Sequence, residues 1–266
     1  MEFRPCIDIH NGQVKQIVGS SLEDKNDLAK ENFVAAKDAG YYAQLYRKNG
    51  IKGGHVILLN PLSSPHYEAT REQAVRALAA YPGGLQIGGG INAENAAAYL
   101  EAGASHVIVT SYVFQDGHIN MEHLTRICRA VGREHLVLDL SCRVRDGCYY
   151  IVTDRWQKFT DEKVDDSTLD MLMDYCDEFL IHAVDVEGKS QGIEQALVRQ
   201  LGEWGSNPAK IAITYAGGVH SYEDIELIKE LGREKIHVTI GSALDIFGGN
   251  LAFDEVVRRT RNKQIP

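Results

Sequence analysis

Two rhythms of apolar and polar positions alternate along the chain. Short, near-continuous apolar runs predict strands over 4–9, 55–59, 85–88, 106–110, 136–140, 179–184, 210–215 and 236–240, each of the kind covered on both faces. Between them lie amphipathic stretches with helical spacing, which predict helices over 27–49, 70–81, 92–101, 120–131, 169–176, 193–204, 221–231 and 253–261. Residues 13–18 form a further β-like piece, and Gly19-Ser20-Ser21 opens a loop. The rhythm breaks between 141 and 168, where Val144 to Tyr150 reads as a hairpin around Asp146-Gly147, followed by Trp156 and an acidic loop. Long connections of this kind usually carry function.

The two halves of the chain echo each other. Leu85-Gln86-Ile87-Gly88-Gly89-Gly90 runs from a strand into a glycine corner, and Ile211-Ala212-Ile213-Thr214-Tyr215-Ala216-Gly217-Gly218 repeats the shape. The strand that follows each corner ends in Thr110-Ser111 or in Gly241-Ser242, and Asp8 and Asp139 each close a strand. Asp8 and Asp139 are 131 residues apart, as are Ser111 and Ser242, while Gly89 and Gly217 are 128 apart, about half of the 266 residues. A period this long is not a solenoid unit but a duplicated half-domain. Eight strands alternating with helices, with no linker or composition break, predict one domain over 1–266. An open doubly wound sheet competes, but two equal halves favour a closed ring, so the expected fold is a single (β/α)8 barrel with ligand groups at the C-terminal strand ends.

Composition narrows the function. Apolar content of 44 % and charged content of 24 % suit a globular protein, and a net charge of −9 argues against nucleic acid as partner. No apolar run approaches a membrane span and no signal peptide is visible. The five cysteines form no C-x-x-C pair, which fits reduced thiols in a cytoplasmic protein. A monomer acting on a small molecule is expected, without nucleic acid or membrane.

In a ring of eight, strands three and four stand opposite strands seven and eight. Two anion sites at Gly89-Gly90 with Thr110 and Ser111, and at Gly217-Gly218 with Gly241 and Ser242, would grip a bis-phosphorylated molecule at both ends through backbone N–H groups and hydroxyls. The competing reading of each glycine pair is turn geometry alone. Asp8 and Asp139 would face each other across the mouth, suited to an acid and a base in one isomerisation, or each could merely accept from neighbouring backbone. The glycine runs fail as a dinucleotide fingerprint and the ten histidines show no metal-binding spacing, so no cofactor or metal is expected. His55 and His106 open strands and read as structural. His182 is either a satisfied core histidine or a pocket residue, and Trp156 either a loop anchor or a stacking platform.

Strand one, C-I-D-I-H-N-G-Q-V, the corners Q-I-G-G-G-I-N and Y-A-G-G-V-H-S, and the ends V-T-S-Y and I-G-S-A-L resemble the histidine-biosynthesis barrel isomerases, the ProFAR (phosphoribosylformimino-aminoimidazole carboxamide ribotide) isomerases. The insertion R-V-R-D-G-C-Y-Y-I-V-T-D-R-W and the loop D-V-E-G-K-S-Q-G resemble the eukaryotic branch. The resemblance implies an Amadori rearrangement of the aminoaldose ProFAR to the aminoketose PRFAR, without cofactor. It implies Asp8 as base, Asp139 or Glu187 as acid, Trp156 stacked on the imidazole, and His182 where relatives often carry threonine. The family's arginine after the first turn is replaced, with Lys15 or Gln16 in its place. The sister cyclase shares the glycine corners and the aspartate pair, and a non-catalytic phosphometabolite-binding barrel is a further alternative. Side activity on phosphoribosylanthranilate has no feature demanding it.

Overall fold

Eight of the apolar runs become parallel strands. The computed structural model describes residues 1–17, 31–154, 156–187 and 192–261. In it the strands are β1 (Cys6–His10), β2 (Gly54–Leu58), β3 (Leu85–Gly88), β4 (His106–Val109), β5 (Leu136–Asp139), β6 (Glu178–His182), β7 (Ala212–Ala216) and β8 (Ile236–Thr239). They pair in chain order from β1 to β8. The ring closes at the N-terminus, where Phe3 bridges Val238 in parallel. There the Arg4 N–H donates to the Val238 carbonyl (2.8 Å) and the Val238 N–H to the Glu2 carbonyl (3.0 Å). The result is a (β/α)8 barrel wrapped by α1 (Ala39–Lys48), α2 (Tyr67–Ala80), α3 (Ala96–Glu101), α4 (Met121–Val131), α5 (Asp166–Leu172), α6 (Gln195–Trp204), α7 (Tyr222–Leu231) and α8 (Phe253–Thr260).

Polar side chains set several helix starts. Asp38, Asn120, Asp165 and Ser221 each accept from the backbone N–H three residues on, and Ser221 with Asp224 completes a reciprocal capping box. The amphipathic stretch over 27–49 is shorter as a helix than its periodicity implies. Glu31–Val34 is instead a strand paired antiparallel with Gln13–Ile17, and α1 starts only after the Asp38 cap. Tertiary pairing outweighs local helical spacing here. Residues 27–30, and the loop at Gly19-Ser20-Ser21, lie outside the described residues.

The strands separate two apolar layers by their alternation. Outward residues such as Ile7, Ile9, Ile87, Val107, Leu138 and Phe179 pack beneath the helices in one large core. Inside the ring, Ile108, Val137 and Leu180, with Ile57 against them, form a small second cluster. Toward the N-terminal strand ends the interior turns polar. Glu178 pairs with Arg4, with side chains only 5 % and 12 % exposed. Glu178 also accepts from Gln86 Nε2 at 2.7 Å and from the Thr214 hydroxyl, while Arg4 Nη1 donates to Thr214 Oγ1 at 3.3 Å. This network plugs the barrel floor, so Glu178→Ala removes the buried carboxylate that faces the Arg4 guanidinium and leaves only the half-exposed Glu2 at 3.5 Å. We expect a loss of about 3–5 kcal/mol, read as a lowered urea midpoint, with a smaller loss for Glu178→Gln. An unchanged midpoint in Glu178→Ala would refute it.

After β5 the chain leaves the barrel for a three-stranded antiparallel sheet, Cys142–Arg145, Cys148–Thr153 and Lys158–Lys163. Asp146 (φ 53°) and Gly147 (φ 73°) make its first turn, both left-handed as a two-residue hairpin demands. The stretch read as an acidic loop is therefore partly the third strand, Lys158–Lys163, and Trp156 lies in the turn that precedes it. No helix among the described residues is long and apolar enough to cross a membrane.

Candidate active site

Inward-facing residues at the C-terminal ends of the strands line a cavity of about 820 Å³. Asp8, Asp139 and Glu187 all border it, from β1, from β5 and from just beyond β6. In the ring order β1 and β5 are opposite, so the two aspartates look into one space from facing walls. Gly89, Gly90, Thr110 and Ser111 line it after β3 and β4, and Gly217, Gly218, Gly241 and Ser242 after β7 and β8. Trp156 and His182 line it as well. Lys15 is not among the lining residues; it is buried, and its neighbour Gln16 faces the cavity instead.

The glycine corners are dictated by backbone contact. A Cβ on Gly89, whose φ is +97°, would sit 2.1 Å from the Leu58 carbonyl oxygen, and one on Gly218, with φ +75°, would sit 2.1 Å from that of Gly192. No side chain fits either place. Gly90, at φ +69°, meets nothing within 4 Å and leaves the first corner open. The corners are not helix starts. Asn92 and Asn95 bond each other's backbone in a turn, and α3 begins only at Ala96; after the second corner Ser221 caps α7. Donors at the corners are thus loop amides rather than a helix terminus.

The carboxylates are pushed apart. Burial raises the Asp8 carboxyl to about 7; the neighbouring His182 opposes this and Glu187 adds to it. Burial likewise raises Glu187. Burial would also raise Asp139, but the hydrogen bond and charge of His182, with the Ser141 donors, bring it below its ordinary value. Asp139 Oδ1 accepts from the Ser141 N–H (2.9 Å) and hydroxyl (2.6 Å), and His182 Nδ1 is 3.5 Å away. Burial works against the His182 cation, yet the bond and charge of Asp139, aided by Glu187 and Asp8, raise it above its usual value. Burial thus favours the neutral forms of Asp8 and Glu187, while Asp139 and His182 favour each other's charged forms.

Trp156 stands over the Asp139–His182 pair. Its ring centroid is 5.6 Å from that of His182, tilted by 42°, and its φ of +68° is one that bulky residues rarely adopt. Around the carboxylates the sequence reading passed over Ser141, offered Gln16 only as one of two stand-ins for an arginine, and read His55 as structural. Ser141, two positions after Asp139 and just past the end of β5, does not line the cavity but holds the Asp139 carboxylate, and the Asp-x-Ser spacing is the one signal that could have exposed it. Gln16 donates to Asp8 Oδ2 at 3.5 Å. His55 lies beside Cys6 in register and faces the cavity, with its ring 6.2 Å from His182. Burial, then His182, lowers the His55 imidazole to about 3, so it is neutral. Lys158 is the one Lys or Arg among the described lining residues, and it is paired with Asp154 at 2.5 Å.

Similar proteins share this chain from end to end. A Medicago truncatula protein is 54 % identical over 261 residues, covering 97 % of this chain and 81 % of its own length. It is named a chloroplastic 1-(5-phosphoribosyl)-5-((5-phosphoribosylamino)methylideneamino) imidazole-4-carboxamide isomerase. Proteins named as the same isomerase occur in Yarrowia lipolytica, 48 % identical over 94 % of this chain and 93 % of theirs, and in Saccharomyces cerevisiae, 44 % identical over 99 % of both. The profile of the family described as Histidine biosynthesis protein matches residues 2–251, and the chain belongs to that family.

Proposed function

We propose that this chain is the isomerase that converts the aminoaldose ProFAR to the aminoketose PRFAR by an Amadori rearrangement. The observation that carries the reading is the pair of facing aspartates between two glycine corners in one cavity. The relatives' names specify a substrate with two 5-phosphoribosyl groups. Such a molecule suits a grip at both ends: one phosphate at Gly89, Gly90, Thr110 and Ser111, the other at Gly217, Gly218, Gly241 and Ser242. The reacting ribose then lies between the aspartates.

The chemistry needs one proton given and one taken. Protonation of the ribose ring oxygen opens the ring to a Schiff base, removal of the C2 proton gives an enolamine, and tautomerisation gives the ketone. Asp8, with its carboxyl near neutrality, is matched to the base role at physiological pH. Asp139 is lowered and His182 raised from their ordinary values, which favours the charged form of each, so we assign the ring-opening proton to this pair: His182 delivers it and Asp139 orients and charges the imidazole. Glu187, whose carboxyl is raised by burial, is read as a hydrogen-bond partner of the substrate. Gln16, rather than Lys15, takes the place of the family's arginine beside Asp8.

An absorbance assay with ProFAR and no ammonia tests the reading. Conversion to the aminoketose supports it. Release of imidazole glycerol phosphate from the aminoketose with ammonia would make it the sister cyclase. Trp156 is read as a platform stacked on the imidazole carboxamide. Trp156→Ala is expected to raise KM by roughly 3–10-fold, the worth of one stacking contact, with Trp156→Phe retaining most affinity. An unchanged KM in Trp156→Ala would reduce the tryptophan to a loop anchor.

We also take the whole chain as one catalytic unit that works as a cytoplasmic monomer. Among the described residues its exposed large apolar side chains, among them Leu62, Tyr41, Met121 and Met171, come from different segments of the chain, and all five cysteines are free. Sedimentation and a fluorescent fusion decide these two points; a stable dimer or plastid fluorescence, as the Medicago protein's name suggests for itself, would overturn them.

A further inference from the structure

The floor of the cavity sets the base Asp8 beside two side chains that the isomerisation does not account for, Cys6 and His55. Cys6 and Asp8 are two apart on β1 and therefore face the same side, and the β1–β2 register puts His55 directly beside Cys6. The Cys6 sulfur, an Asp8 oxygen and a His55 ring nitrogen all lie within 4.8 Å of one another, the one such group among the described residues. All three residues line the cavity, so a fourth position opens toward substrate space. Gln16 Nε2 reaches both Cys6 Sγ (3.6 Å) and Asp8 Oδ2 (3.5 Å), which orients the two groups from behind.

We propose that Cys6, Asp8 and His55 bind one soft divalent ion, Zn²⁺ foremost, and that the bound ion inhibits the enzyme by taking Asp8 out of the reaction. The donor set is sulfur, nitrogen and oxygen, which selects zinc-like ions over the all-oxygen preference of Ca²⁺ and Mg²⁺. Ligand atoms around tetrahedral zinc stand roughly 3.3–3.8 Å apart, so closing the cluster needs movements of about 1 Å, within reach of side-chain torsions of Cys6 and Asp8. On coordination the thiol proton, and the Asp8 proton where the carboxyl carries one, pass to solvent, the sulfur–metal and oxygen–metal bonds form, and no oxidant or reductant is involved. A water or substrate oxygen would take the open position.

Cobalt supplies a readout independent of catalysis. Metal-free protein titrated with Co²⁺ is expected to develop a sulfur-to-cobalt charge-transfer band that saturates at one equivalent and is erased by Zn²⁺. Cys6→Ser should abolish the band, and His55→Asn should weaken binding at least about tenfold. Cys128→Ser and Cys148→Ser, which alter thiols outside the cluster, should leave it intact. Folding of each variant is checked by its thermal melt; if Cys6→Ser does not fold, His55→Asn carries the comparison. In parallel, Zn²⁺ should suppress turnover of the parent reversibly with chelator, and should not suppress Cys6→Ser relative to its own zinc-free rate. No thiolate band, a band insensitive to Cys6→Ser or His55→Asn, or a band lost in Cys128→Ser would overturn the site. A band without zinc inhibition would overturn the inhibitory role. The inhibition arm rests on the isomerase reading; the cobalt arm does not, so the two can fail separately.

Discussion

Asp8→Asn is expected to lower kcat for ProFAR by about 10²–10⁴-fold while leaving its affinity within a few-fold of the parent. The amide keeps the shape of the carboxylate and the contact to Gln16, but it cannot accept the C2 proton. Because the substrate is gripped at its ends, removing a group at the middle should spare binding. A phosphometabolite-binding barrel would behave otherwise, since nothing it does depends on the base. Weakened affinity with unchanged kcat would overturn the assignment of Asp8.

The pH dependence of the same residue has a definite sign. Asp8 must be ionised to act, and burial raises its carboxyl to about 7, so kcat/KM, measured in metal-free buffer, should fall below about pH 7 with one proton taken up. Its effect on stability runs the opposite way. A carboxyl raised above its unfolded value of 3.8 holds its proton in the folded chain over the window from about 4 to 7. Stability is therefore lost as pH rises through that window. Asp8→Asn removes the cost and should stabilise the protein by about 1–3 kcal/mol at pH 8, discounted for water in the cavity, with little gain at pH 4. A dead variant with a higher melting temperature at pH 8 is the expected signature of a residue kept for chemistry at the expense of stability.

Asp139→Asn is the second large effect, with a loss in kcat again of about 10²–10⁴-fold, but through His182. In the parent, the bond and charge of Asp139 oppose the burial that works against the cation. With asparagine there, burial is opposed only by the weaker effects of Glu187 and Asp8, so His182 loses its proton at lower pH and the alkaline limb of the pH–rate profile moves to lower pH. Linkage gives a parallel result. The raised His182 contributes stability that is complete below its unfolded pKa of 6.5 and is lost as pH rises through its higher folded value. The lowered Asp139 contributes stability that is present above 3.8 and lost as pH falls through its folded value. Asp139→Asn should remove both. His182→Gln should match its loss of kcat, and Glu187→Gln should cost less than tenfold. If Glu187→Gln alone is dead, Glu187 delivers the proton and the His182 assignment fails.

Much of this site was legible in the chain because duplication writes each feature twice. Asp8 and Asp139, and the two glycine corners, are recognisable as pairs before any coordinates, and strand alternation with the barrel expectation places them at one mouth. Phase was harder to read. Lys15 and Gln16 are adjacent on a strand and point to opposite faces, and the register with 31–34, which fixes the phase, is a contact between segments. The same pairing shortened the first helix, since helical spacing over 27–49 carries no information about a strand partner. His182 could not be assigned to core or pocket from its neighbours, because its role depends on Asp139 and Ser141, which are 40 residues or so away in sequence.

The sequence by itself determined the eightfold strand–helix rhythm, the half-chain repeat and the residue types available at each strand end, because these follow from local periodicity and from counting along one dimension. Only the tertiary structure decided that Asp139 and His182 are drawn toward their charged forms while burial raises Asp8, and that Cys6, Asp8 and His55 meet. Proton affinity and coordination are set by burial and by the distance between groups. Those quantities come into being when the ring closes and carry no signature in the order of residues.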